Sequence, residues 1–186
     1  MKKIIVVFLV FTIYSCNCTQ VYLSDKEKQW VFPYKKGDVI IFKSNRGNFD
    51  TLVVVAKETV FTNPDCLLEI GSKQREDISI KLQPNKCHNQ YYCEGEIAIT
   101  KNDYEDNQPF FRIFGLEYSD SSINTKLFKT SFTSSNGKKY ISAYLFKDGL
   151  NADNYGSNYL KSFYWDKLDG LIRYESNDGE IFDVYQ

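Results

Sequence analysis

The feature that most restricts the fold of this chain is a procession of short apolar or alternating segments, each closed by a turn signal. Residues 38–43 (DVIIFK) and 49–61 (FDTLVVVAKETVF) read as two strands. Between them, Ser44-Asn45-Arg46-Gly47-Asn48 holds the glycine that a hairpin loop uses at positive φ. Residues 78–82 (ISIKL) alternate as a half-buried strand does. Residues 91–100 (YYCEGEIAIT) alternate as well, with Tyr91, Cys93, Gly95, Ile97 and Ile99 on one face. Segments 110–118, 123–133 and 139–147 continue the series, and Ser134-Ser135-Asn136-Gly137 makes another hairpin turn. Short strands near 163–165 and 171–174 lead through Asn177-Asp178-Gly179 into a last one at 180–185. Tyr and Phe supply 14 residues each against a single Met, a balance that suits pleated, half-buried surfaces. No long helical period appears after the first eighteen residues. The pattern predicts a predominantly all-β domain, an antiparallel meander of roughly nine to ten strands forming an open barrel or a sandwich.

The N-terminus sets the compartment. Lys2 and Lys3 precede an apolar run from Ile4 to Ile13, followed by Tyr14-Ser15-Cys16. A charged start, a short apolar run and a small residue describe an export signal. A spanning helix needs roughly twenty apolar residues. Ile13-Tyr14-Ser15-Cys16 resembles the bacterial lipobox, with Tyr14 standing where a small residue is usual. That resemblance implies removal of 1–15, acylation of Cys16 and a membrane lipid as partner. Each buried methylene contributes about 0.8 kcal/mol, so several acyl chains make a stable anchor. Cys18 is a second, poorer match behind Asn17. The alternative is a protein secreted to the periplasm, with Cys16 or Cys18 free or disulfide-paired. The remainder divides into a polar tether at 16–29, with at most a brief helix, and a single β-rich domain at 30–186.

Loss of Lys2 and Lys3 moves the formal charge from −1 to −3. No basic stripe stands out, which argues against nucleic acid as a partner. A protein or small-molecule ligand is not identified by any motif, and no cofactor is expected.

Two clusters carry a further resemblance. Tyr164-Trp165, Gly170-Leu171-Ile172-Arg173-Tyr174 and Asp178-Gly179-Glu180 resemble a tail found in small lipoproteins of the Bacteroidota whose roles are uncharacterised. Phe32-Pro33-Tyr34-Lys35-Lys36-Gly37-Asp38, with Ile41-Phe42-Lys43-Ser44-Asn45 and Gly47, is similar to an earlier segment of that group. The resemblance implies an envelope location, a β-rich fold and a structural role for these motifs. In that group, acidic residues soon after the lipidated cysteine mark surface display. Here Asn17-Cys18-Thr19-Gln20 follows, which implies an outer-membrane protein facing the periplasm.

The candidate sites are few. In an oxidising envelope a Cys87–Cys93 bridge is the simplest pairing, leaving Cys66 free or exchanged into another arrangement. The rival is a metal site of Cys66, Cys87, His88 and Cys93, which lacks the repeated short spacing of structural zinc. No metal is therefore expected. His88 is the single histidine, and no Gly-x-Ser-x-Gly elbow exists for it to serve. Glu94 and Glu96 sit two apart on one strand face, where a glycosidase pair could lie, although a solvated face of a half-buried strand explains them better. Asp103, Glu105 and Asp106 form an acidic loop. Asn151, Asp153 and Gly156 imitate a calcium loop, but Tyr155 and Ser162 occupy ligand positions. Tyr140, Tyr144 and Phe146 are expected to share one strand face, and Tyr159, Phe163 and Trp165 another. These line either a core or an apolar ligand cavity. Three functions follow: a non-enzymatic binding or support domain, a carrier of a hydrophobic ligand in an open barrel, and a carbohydrate-active hydrolase. The hydrolase would need at least two of Glu94, Glu96, Asp103, Asp106 and Asp153 in one cleft.

Overall fold

The two strands that open the domain, β2 (Val39–Ser44) and β3 (Phe49–Phe61), meet in an antiparallel pair with Val39 opposite Val53 and Lys43 opposite Phe49. The computed structural model describes residues 18–66, 73–87, 93–103, 107–119, 126–155 and 159–185. Within them β3 continues into β4 (Lys73–Pro84), β5 (Gly95–Thr100), β6 (Phe110–Ile113) and β7 (Leu116–Tyr118), each antiparallel to the last. A second meander runs through β8 (Phe128–Thr133), β9 (Lys139–Lys147), β11 (Leu160–Asp166), β12 (Gly170–Ser176) and β13 (Ile181–Val184). The final strand joins the two halves by pairing with β2, Phe182 opposite Ser44. Two-residue β10 (Asp153–Asn154) pairs with β7, and β7 also approaches β11, so the sheet curls into an antiparallel half-barrel. The all-β class holds, with thirteen strands among the described residues.

The strand count exceeds the expected nine to ten for identifiable reasons. Segment 110–118 is two strands, because Phe114 (φ 47) and Gly115 (φ 86) form a two-residue hairpin turn with both centres left-handed. Phe114 accepts that conformation because its side chain is buried against Tyr174 and Tyr159. Strand β4 starts at Lys73, earlier than the apolar alternation at 78–82 suggests, because β1 (Thr19–Val21) runs parallel to Lys73–Arg75.

That pairing also corrects the tether. Residues 19–29 do not hang free of the domain. Beyond β1, α1 (Asp25–Lys28) is closed by a capping box, in which Ser24 accepts from the Glu27 N–H and Glu27 accepts from the Ser24 N–H at 2.6 Å. Glu27 is buried and takes further hydrogen bonds from Lys101 (3.0 Å) and Asn107. Glu76, also buried, accepts the Leu23 N–H at 2.8 Å and pairs with Lys28 at 2.9 Å. The residues that follow close over the half-barrel: Leu23, Trp30, Val31 and Tyr34 are each at most 4% exposed. Trp30 packs on Phe111 (6.0 Å between rings) and Tyr144 (4.5 Å).

The interior follows the period-two pattern. Phe42, Leu52, Val54, Ile80, Leu82, Ile97 and Ile99 point inward from successive strands. Phe111, Phe146, Phe163 and Trp165 meet at the centre with ring separations of 4.7 to 5.7 Å. Three hairpins repeat one device, a buried serine before a turn that ends in glycine. Ser44 Oγ accepts the N–H groups of Arg46 and Asn48, Ser176 Oγ accepts the Glu180 N–H, and Ser134 Oγ donates to the Lys138 carbonyl. In each, the glycine N–H (Gly47, Gly179, Gly137) returns to the serine carbonyl. The hydroxyl satisfies backbone groups that burial would otherwise leave unpaired.

Candidate functional site

The outward-facing positions of β2 and β3 should be polar if the sheet simply met water, and several of them are apolar. Val39, Phe49 and Val55 are exposed there, and Tyr185, just past β13, joins them. Phe49 and Tyr185 meet edge to face at 5.7 Å, and the Lys43 ammonium lies over both rings at 5.7 and 5.6 Å. Beside this patch is an open groove of about 420 Å³ bordered by Asp38, Val39, Asn136, Lys138, Tyr140, Asp169 and Tyr185. Its polar rim is already internally paired. Asp38 accepts the Lys35 N–H at 2.6 Å, and Asp169 is in contact with Lys138. Burial, and then Asp169 beside it, push the Tyr140 phenol above its usual range, so it remains a neutral donor. A mixed, aromatic-edged groove whose polar rim is already hydrogen-bonded suits holding a partner's surface more than moving protons.

A second depression, about 280 Å³, lies at the start of β3 between Asn48, Phe49, Asp50, Lys86, Tyr159, Glu180 and Phe182. Asp50 is buried, accepting the Tyr174 phenol at 2.6 Å and its neighbour Thr51 N–H at 2.8 Å. Burial and the Asp50 charge push both the Tyr174 and Tyr159 phenols well above their usual range. The sequence carried a signal for this group: Asp50 shares the inward parity of Leu52 and Val54. A carboxylate at a core position of an alternating strand needs a buried partner.

The residues singled out from sequence are placed as follows. Cys87 and Cys93 are joined by a disulfide with Cα atoms 5.1 Å apart, and Cys66 is bonded to Cys18 at 5.7 Å. Both bridges consume the thiolates that the metal alternative required, while His88 lies outside the described residues. So does Cys16, and with it the acylation site. Glu94 is exposed just before the start of β5. Glu96 belongs to a row of alternating charge across the outer surface, Lys81, Glu96, Arg112, Glu117, in which Arg112 meets Glu117 at 2.8 Å and Glu96 at 3.5 Å. Asp153 ends that row opposite Glu117. Asp103 is exposed and holds Lys73 (2.9 Å) and Arg75 (2.7 Å); those two hydrogen bonds keep its pKa below the usual carboxylate range. Glu105, Asp106 and Gly156 fall outside the described residues. Of the calcium-like loop, Asn151 spends its amide on the backbone of Lys147, Leu145 and Lys126.

The aromatic faces come out differently from the pattern. Phe163 and Trp165 are in the main core with Tyr159 packed against it. Tyr140 does not share a face with Phe146. A bulge opposite Thr130–Phe132 inserts a residue into β9, and a bulge reverses the inward parity beyond it. Tyr140 therefore joins Ala143 and Ile172 in a small outer cluster with Phe132 and Tyr164, while Phe146 and Tyr144 stay with the main core.

No helix among the described residues is long and apolar enough to cross a membrane. The chain matches no protein-family model, and no curated protein or solved structure is detectably similar to it.

Proposed function

We propose that this chain is a bacterial envelope lipoprotein, held on the membrane through acylated Cys16, with a non-enzymatic β-domain that serves binding or support. One observation carries the reading. The chain has five cysteines, and four are consumed in Cys18–Cys66 and Cys87–Cys93. The odd thiol left over is Cys16, the one that the lipobox resemblance selects, and Cys18, the rival, is already engaged. Two intramolecular disulfides also suit a protein exported to an oxidising compartment. The outer-membrane, periplasm-facing location comes from the sequence resemblance alone. For the domain itself, the patch of Val39, Phe49, Val55 and Tyr185 beside its open groove supports partner binding. Of the carboxylates weighed for hydrolysis, Glu96 and Asp103 are tied into surface ion pairs on separate elements. The aromatics weighed for a carrier pack against one another.

Labelling with radioactive palmitate tests the anchor. Wild type should take up label and fractionate with membranes, whereas Cys16→Ala should lose the label and appear in the soluble fraction. Equal labelling of both overturns the proposal.

A further inference from the structure

The position of Cys18 extends the lipid-anchor reading and rests on it. Two residue steps separate Cys16 from Cys18, and that length of chain spans at most about 7 Å. Cys18 is itself bonded to Cys66, and Thr19–Val21 run alongside Lys73–Arg75 of β4. An acyl chain on Cys16 would thus be joined to the folded domain with no flexible spacer. We propose that the end of the half-barrel carrying the Cys18–Cys66 bridge lies against the lipid headgroups, with Tyr22 and Val60 as its contact residues.

The chemistry of that end fits a lipid surface. Tyr22 is 55% exposed with its ring edge-on to Phe61 at 5.4 Å, and Val60 is 53% exposed. A tyrosine presents an apolar body and a polar tip, the combination enriched at membrane–water boundaries. The nearby cations Lys73 and Arg75 are both held by Asp103. Contact is therefore enforced by the short covalent link, which keeps the effective lipid concentration high, and does not require anionic lipid. It also gives the domain a polarity. Strand β3 runs from Phe49 to Phe61, about 40 Å at the usual rise per residue. The Asp50 depression and the turns at Arg46 and Asp178 then point away from the bilayer.

The test uses the full-length acylated chain in phosphatidylcholine vesicles whose acyl chains carry bromine, a quencher of tryptophan. The native Trp30 and Trp165 are buried and set the background. Tyr22→Trp should lose about half of its added emission at the interface, and Phe49→Trp should match the wild-type background. A Gly/Ser insertion of about ten residues between Asn17 and Cys18 should abolish the quenching of Tyr22→Trp. If Tyr22→Trp does not fold, Val60→Trp reports on the same end. Acylated protein, verified by intact mass, in which position 22 or 60 is quenched no more than position 49 overturns this orientation while leaving the anchor standing. Protein whose mass shows no acyl chain overturns both.

Discussion

The phenol of Tyr34 accepts the backbone N–H of Leu171 at 2.7 Å, and its ring fills the space that a Cβ on Gly170 would occupy, 2.5 Å away. This relationship joins the early Phe32–Gly47 motif cluster to the late Tyr164–Glu180 one. The same strands are joined again where Arg46 meets Asp178 at 2.8 Å and Asn48 donates to Glu180 at 2.7 Å. Phe42 packs on Tyr174 between them. The motifs are the seam where β2 meets the closing β12–β13 hairpin.

Gly170 should therefore tolerate no side chain. At φ +80 an alanine costs about 1–2 kcal/mol of backbone strain, and the overlap with Tyr34 adds about 1–3 kcal/mol. Urea unfolding of Gly170→Ala should show the sum. In a Tyr34→Leu background the clash disappears, so the same substitution should cost only the strain, a coupling that a double-mutant cycle measures. Tyr34→Phe alone should cost about 1–3 kcal/mol, since it leaves the buried Leu171 N–H without a partner.

Acid should attack the N-terminal closure first. Burial raises the pKa of Glu27, but hydrogen bonds from the Ser24 side chain and backbone, Lys101 and Asn107 outweigh it and hold the group at about 2. A depressed carboxylate contributes stability that is complete above its unfolded value near 4.5 and is lost as pH falls towards 2. The window corresponds to about 3 kcal/mol. Glu27→Gln should be less stable at pH 7 and should lose less between pH 5 and 2 than wild type, as read from unfolding midpoints.

The two disulfides should differ in worth. Cys18–Cys66 closes 48 residues and Cys87–Cys93 closes 6. By loop entropy these constrain the unfolded chain by about 4 and about 2 kcal/mol. Replacing Cys18 and Cys66 by serine should thus lower stability about twice as much as replacing Cys87 and Cys93, by chemical denaturation of each double variant.

Phe114 sets strain against burial. Its left-handed backbone costs about 1–2 kcal/mol, which glycine would relieve. Removing its buried ring costs about 3–5 kcal/mol. Burial wins, so Phe114→Gly should destabilise the fold by about 2–3 kcal/mol net in the same denaturation assay.

What the sequence made legible was what local chemistry decides. The strands β2, β3, β5 and β12 and the serine–glycine turns are set by neighbours along the chain, and they sit where the pattern puts them. What it hid depends on distant partners. The polar run 19–29 looks like a tether until Glu76, Lys101 and Asn107 arrive to satisfy it. Phe114 carries none of the Asn or Asp usual at a left-handed turn position, because a tertiary pocket stabilises it there. The bulge in β9 that separates Tyr140 from Phe146 leaves no mark in composition. Asp50 was visible as an inward carboxylate in an apolar strand, but its partner Tyr174 lies 124 positions along the chain.

Anchoring turns on one sulfur. Mass spectrometry of the N-terminal peptide from protein purified out of native membranes reads it directly. A lipid-anchored chain should begin at Cys16 bearing acyl chains, with Cys18 linked to Cys66 in the same molecule. A mature chain that starts at another residue, or an unmodified Cys16, contradicts it.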